Sequence, residues 1–89
     1  MRNGMIQDSD GSRRWYKNGQ LHRLDGPAIE HADGWRSWYQ HGWLHREDGP
    51  AVERSNGTCE WILNGKIYTE EEYEHEMRLR KWGLSIDVL

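Results

Sequence analysis

The sequence predicts a mainly β fold with one C-terminal α-helix, an antiparallel meander of three 23-residue β-hairpin repeats. Three observations lead there. Trp15, Trp38 and Trp61 stand 23 residues apart, and the same spacing holds for Gly11, Gly34 and Gly57, for Gly19, Gly42 and Gly65, and for Leu21, Leu44 and Ile67. Glycines preceded by Asn, Asp or His bracket short aromatic segments, the punctuation of tight hairpins. The final third carries a helix start signal and a helix stop signal. A fixed period in three residue classes means that each copy is one supersecondary unit, stacked on the next to bury a shared core.

The first two copies, residues 5–27 and 28–50, agree at 13 of 23 positions. Both contain Leu-His-Arg followed by Asp-Gly-Pro: Leu21-His22-Arg23 with Asp25-Gly26-Pro27, and Leu44-His45-Arg46 with Asp48-Gly49-Pro50. The third copy, residues 51–73, keeps Glu53, Gly57, Trp61, Gly65 and Ile67, then diverges to Tyr68, Thr69 and Glu71-Glu72-Tyr73. A terminal copy differs because no further repeat covers its outer face. Within each copy a first turn, Asp10-Gly11, Asp33-Gly34 or Asn56-Gly57, leads into the tryptophan strand. The hairpin turn follows at Asn18-Gly19, His41-Gly42 and Asn64-Gly65. Asp-Gly-Pro makes a third turn, and its proline stops the ladder because it has no N–H to donate.

Alternation along the strand sends Arg36, Trp38 and Gln40 of the second copy to one face and Trp35, Ser37 and Tyr39 to the other. Stacked copies then give a tryptophan ladder on one face and a Tyr16, Tyr39, Ile62 ladder on the other. After the last hairpin, Thr69-Glu70-Glu71-Glu72 matches a capping box, and its acids suit the positive end of a helix dipole. A helix is expected over about 70–82, with Arg78, Arg80 and Lys81 in its last turn and Gly83 as its stop. Tyr73 and Met77, four residues apart, should face the open end of the third copy. The tail, residues 83–89, is expected together with Trp82 to be too apolar to stay wholly in water. At 89 residues the chain reads as a single domain, 1–89, with room for one site.

Composition narrows the function classes. Only 35% of residues are hydrophobic, Phe is absent, and the apolar mass lies in six Trp and four Tyr, so the expected core is a layer of aromatics. Twelve Lys and Arg against fifteen Asp and Glu leave a net charge of -3, a field that favours neither nucleic acid nor an anionic membrane. Cys59 is the single cysteine; without a disulfide partner or a second thiol for zinc, it points to a reducing, cytoplasmic setting. No stretch approaches the roughly 18 apolar residues of a membrane span, and the segment from Met1 to Gly11 lacks the apolar core of a secretion signal.

The run Trp15-Tyr16-Lys17-Asn18-Gly19-Gln20-Leu21-His22, repeated as Trp38-Tyr39-Gln40-His41-Gly42-Trp43-Leu44-His45, resembles the MORN repeat. The resemblance covers residues 5 to about 73. The chain departs from that pattern at Arg23 and Arg46, where the family favours glycine, and in the inserted Asp-Gly-Pro-Ala. With His-Arg-x-Asp-Gly-Pro-Ala-x-Glu it is most similar to a variant found in small proteins of tailed bacteriophages. The resemblance implies a single-layer, strongly twisted meander and a role in binding protein or lipid. It also implies a phage-encoded protein acting in the host cytoplasm. Small phage proteins of this kind often inhibit a host machine, and a nuclease or immunity complex of the CRISPR type is the partner this analogy suggests.

No nucleophile stands beside a base and no glycine-rich loop runs from a strand into a helix, so neither enzymatic activity nor a cofactor is expected. His22 and His45 each precede an aspartate, Asp25 and Asp48, by three residues, which would suit a metal or acid/base site if stacking joined them. A turn and packing role explains the same residues with less, and no metal is expected. The expected function is binding to a protein partner. Its candidate residues are Trp35 and Trp43, aromatic where the other copies have Ser12 and Thr58 or Gln20 and Lys66; Arg36 and Tyr39 of the same strand; and Glu71, Glu74 and Glu76, an acidic helix face suited to a basic groove. The alternative is a weak nucleic-acid binder that uses Arg13, Arg14, Lys17, Arg23, Arg36, Arg46 and Arg54 among the aromatic rings. A free sheet edge near Met5-Ile6-Gln7 adds a homodimer as a candidate assembly.

Overall fold

The computed structural model describes residues 1–83. They form an antiparallel β-meander followed by one C-terminal helix. The strands are β1 (Gly4–Gln7), β2 (Arg13–Lys17), β3 (Gln20–Leu21), β4 (Ile29–Glu30), β5 (Arg36–Ser37), β6 (Tyr39–Gln40), β7 (Trp43–Leu44), β8 (Val52–Glu53), β9 (Cys59–Leu63) and β10 (Lys66–Tyr68), and the helix is α1 (Glu70–Lys81). Eight strands make one sheet, in the order β1-β2-β4-β5-β8-β9-β10 with β3 also on β2, while β6 and β7 pair by themselves.

The branching begins at the tryptophan. The first half of β2 pairs with β4 (Arg13↔Glu30, Arg14↔Ile29) and the second half with β3 (Tyr16↔Leu21, Lys17↔Gln20). Between them, the Trp15 N–H donates to the Ala28 carbonyl and the Trp15 carbonyl accepts from the His22 N–H. The same bonds recur 23 residues on: the Trp38 N–H donates to Ala51, and the His45 N–H donates to Trp38. There the fork interrupts the strand, leaving β5 and β6 on either side of Trp38. The expected continuous strand over residues 35–40 is thus split, because the backbone of Trp38 serves two neighbours that diverge. In the third hairpin the ladder instead runs one residue further, to Tyr68↔Trp61.

Local sequence sets the turns. Asn18, His41 and Asn64 have φ of 51°, 51° and 49°, and the glycines that follow have φ of 78°, 83° and 79°. Two consecutive positive values define the type I′ turn that matches strand twist. Ahead of each tryptophan strand, the side chains of Asp10, Asp33 and Asn56 accept from the N–H groups of Ser12, Trp35 and Thr58 at 2.9, 3.0 and 3.0 Å. These are Asx turns, in which the carboxylate or amide oxygen stands in for a backbone carbonyl.

The apolar core lies toward the C-terminal half. One cluster joins Ala51, Val52 and Ile62 with Leu44 packed against it. The other joins Leu63, Tyr68 and Tyr73 with Trp61 and Met77, so the helix packs its Tyr73/Met77 face on the last hairpin, the third copy that this face is expected to cover. The capping box is present: Thr69 Oγ1 accepts from the Glu72 N–H at 3.1 Å, and Glu72 Oε1 accepts from the Thr69 N–H at 2.9 Å. Trp82 is exposed, and the apolar tail expected beyond Gly83 lies outside the described residues.

Candidate functional site

Two of the three tryptophans of the ladder, Trp15 and Trp38, are covered by arginine clamps. Arg23 lies over the Trp15 ring and Arg46 over the Trp38 ring, each with its guanidinium carbon 3.8 Å from the ring centroid. The loop that follows holds each guanidinium in place. Arg23 Nε donates to Asp25 at 3.0 Å and its Nη1 to the Pro27 carbonyl at 3.1 Å. Arg46 repeats this with Asp48 at 2.8 Å and Pro50 at 3.0 Å. Glu30 and Glu53 add a second carboxylate, at 3.7 Å from Arg23 and 3.1 Å from Arg46, and also face Arg13 and Arg36 across the sheet at 3.8 and 3.4 Å. Arg14 pairs with Asp8, and Arg54 with Glu60 at 2.7 Å. Of the cations in the expected nucleic-acid face, all six arginines therefore already hold a carboxylate.

The histidines join consecutive hairpins. His22 Nδ1 accepts from the His41 N–H and His45 Nδ1 from the Asn64 N–H, both at 2.9 Å. Each bond satisfies the first residue of the next hairpin turn, whose N–H would otherwise go unpaired. Burial, with lesser contributions from His41 and Lys17, holds the pKa of His22 below its ordinary value and keeps its lone pair free to accept. The aspartates face the arginines instead, so the His/Asp constellation splits between two structural jobs. Among the described residues no group of three His, Cys, Asp or Glu is placed to hold a metal ion.

Between the loops of the first and second clamps a cleft of about 520 Å³ opens beside Trp38, lined by Leu24, Asp25, Gln40, His45, Arg46 and Glu47, among others. Trp43 is not one of the lining residues; it is the cross-strand partner of Gln40, which is, and it shares the sheet face of Gln40. The indole is 61% exposed yet held in position, because it lies on the Asn64-Gly65 turn; a Cβ on Gly65 would come within 2.7 Å of Trp43 Cε3. Leu24, on the cleft wall, is 75% exposed.

The other expected binding residues fare differently. Trp35 is only 36% exposed; it stacks on His31, with ring centroids 4.6 Å apart, and Arg54 flanks it. It also stands at the Asp33-Gly34 end of the strand, whereas Trp43 stands beyond the His41-Gly42 end, so the two indoles do not form one patch. Arg36 is occupied by Glu53. Tyr39 is half-buried, and burial pushes its phenol pKa up. Glu71 and Glu74 are exposed as expected. Glu76 is not: it is fully buried and accepts from Arg80 Nε at 2.9 Å. The reason is helical spacing, since Glu76 and Arg80 fall three and seven residues after Tyr73, on the stripe that faces the sheet. Leu24 is not among the residues expected from the sequence, where its one distinguishing mark is that the second copy has Glu47 in its place.

The chain matches no family model, and neither a curated protein nor a solved structure matches it.

Proposed function

We propose that this chain is a three-repeat, MORN-like hairpin array that serves as a non-enzymatic protein-binding module. Its partner surface is the margin of the inter-clamp cleft marked by Trp43 and Leu24, with Glu71 and Glu74 of the helix as a flanking acidic face. Trp43 carries the reading. A largely exposed indole, immobilised against a glycine, costs a hairpin solubility and gives a partner a rigid anchor with little ordering entropy left to lose. The equivalent positions hold Gln20 and Lys66, so the repeat itself does not need an aromatic there. Against the nucleic-acid alternative stands the pairing of the arginines, since each phosphate contact would have to displace a carboxylate. The partner proposed from the resemblance is a host nuclease or immunity complex of the CRISPR type, met in the host cytoplasm.

The test uses residues that other copies already tolerate. Trp43→Gln and Leu24→Glu, together, should leave the thermal midpoint unchanged and weaken a purified host complex by about tenfold or more in calorimetric titration. Undiminished affinity in a folded double variant would reject this surface. Recovery from lysate of nuclease-sensitive material alone would favour the nucleic-acid reading.

A further inference from the structure

The strand at the N-terminal end of the sheet is built differently from its counterparts. β4 and β8, which occupy the same place in the repeat, are two residues long, follow Pro27 and Pro50 closely, and carry Glu30 and Glu53. β1 is four residues long, with Gly4 where the others have proline and Gln7 where they have glutamate. It therefore lacks shortness, proline and charge, three features that ordinarily blunt an exposed edge. Its neighbour in the sheet is β2 alone.

The direction of the backbone groups follows from β2. Both the N–H and the carbonyl of Trp15 bond to residues on the side away from β1. Arg14 and Tyr16 therefore turn theirs toward β1, where they meet Ile6 and Gly4. The Arg2 carbonyl also points inward, accepting from the Gly19 N–H at 2.8 Å. Asn3, Met5 and Gln7 are left to turn their backbone groups outward, and no strand among the described residues lies there to meet them. Met5 stands where Ala28 and Ala51 stand in the other copies; both alanines are fully buried, whereas Met5 is 47% exposed. A repeat-type neighbour leaves room for an alanine at this position, and methionine exceeds it, so β1 does not present the surface that β4 and β8 present to the strand beside them.

We propose that β1 pairs antiparallel with β1 of a second copy, about a two-fold axis at Met5, joining the two sheets into one. In that register Met5 faces Met5, Asn3 faces Gln7, Gly4 faces Ile6 and Arg2 faces Asp8. All outward-turned groups of the strand find partners, and at both ends Arg2 comes opposite Asp8, a carboxylate that also holds Arg14 of its own copy. Moving the axis to Gly4 sets Arg2 against Ile6, and moving it to Ile6 sets Arg2 against Asp10 in the turn beyond β1, so the Met5-centred register is the one that keeps Arg2 opposite a carboxylate directly at the strand's end. An interface of this type is isologous and stops at two copies. It is also small, so the association is weak and depends on concentration.

Sedimentation from about 10 μM to about 1 mM should show the mass rising from one copy toward two. Met5→Lys, which brings like charges together at the axis, should stay at one copy with an unchanged far-UV spectrum. In a Cys59→Ser background, Met5→Cys should cross-link on mild oxidation, because residues facing each other in a hydrogen-bonded pair lie within disulfide reach. Ile6→Cys, displaced from its own copy along the strand, should not. A one-copy mass throughout the range, equal cross-linking of the two cysteine variants, or growth beyond two copies would each overturn the proposal.

Discussion

Trp15 and Trp38 lie beneath arginines from their own loops, whereas Trp61 lies beneath a tyrosine from the helix. Tyr73 packs its ring 5.0 Å from that of Trp61, at 49°. Its hydroxyl donates to the Arg46 carbonyl at 2.6 Å and accepts from the Gly49 N–H at 3.4 Å. The same need, to cover one face of an indole, is thus met locally where another hairpin follows and by a separate element where none does. The two solutions differ in what they bury. An arginine clamp leaves its charged end partly in water, with the Arg23 and Arg46 side chains 22% and 19% exposed, while Tyr73 joins a closed cluster with Leu63 and Tyr68. Tyr73 also fastens the helix to the preceding loop, so the last two hairpins and the helix form the better-packed half of the molecule.

The largest loss of stability should follow Tyr73→Ala, which removes a buried ring and both of its hydrogen bonds at a cost of about 3–4 kcal/mol in urea unfolding. Tyr73→Phe keeps the ring and should cost about 1 kcal/mol. Equal losses in the two variants would show that the hydroxyl bridge, not the cover over Trp61, is what the helix contributes.

Breaking a clamp should cost less. Arg46→Met preserves much of the stem packing but removes the cation over the ring and the bonds to Asp48, Pro50 and Glu53, for about 2 kcal/mol. Arg23→Met should cost less than this, since its second carboxylate, Glu30, lies farther away than Glu53 lies from Arg46. A larger loss for Arg23 would mean that the N-terminal hairpin, with fewer buried apolar residues, leans on its clamp more heavily.

The smallest effect concerns the histidine joint. The folded state holds the His22 pKa below 6.5, so the unfolded chain takes up the proton more readily. The stability contributed by this group is present above that value and is lost as pH falls below it. His22→Asn should keep the joint and remove its pH dependence, because Asn3 already plays the same part at the first turn, its Oδ1 accepting from the Asn18 N–H at 2.8 Å. Urea midpoints at about pH 5.5 and about pH 7.5 read the difference; an unchanged slope with pH in the asparagine variant would place the titration elsewhere.

Short-range chemistry was legible in the residues themselves. Asn18-Gly19 and Asn64-Gly65 specify hairpin turns, Asp10-Gly11, Asp33-Gly34 and Asn56-Gly57 specify the turns ahead of the tryptophan strands, and Thr69 with Glu72 specifies the helix start, because each involves groups separated by at most three positions whose geometry the local backbone fixes. The exposure of Trp43 agrees with its standing where the other copies have Gln20 and Lys66. Glu76 belongs to an acidic run that reads as a solvated face, but its place three residues after Tyr73 puts it on the helix face that packs against the sheet.

The sequence by itself therefore determined the mainly β character, the hairpin turns and the capped C-terminal helix. Only the tertiary structure decided that the strand forks at Trp38, that Arg23 and Arg46 lie over the tryptophans, that Tyr73 takes their place at Trp61, and that Trp35 and Trp43 stand at opposite margins. Those outcomes depend on how far the sheet twists between hairpins and which groups meet across 8 to 27 positions of chain. Spacing names the candidates for such contacts, but the choice among them depends on packing, where burial of each ring competes with pairing of each charge.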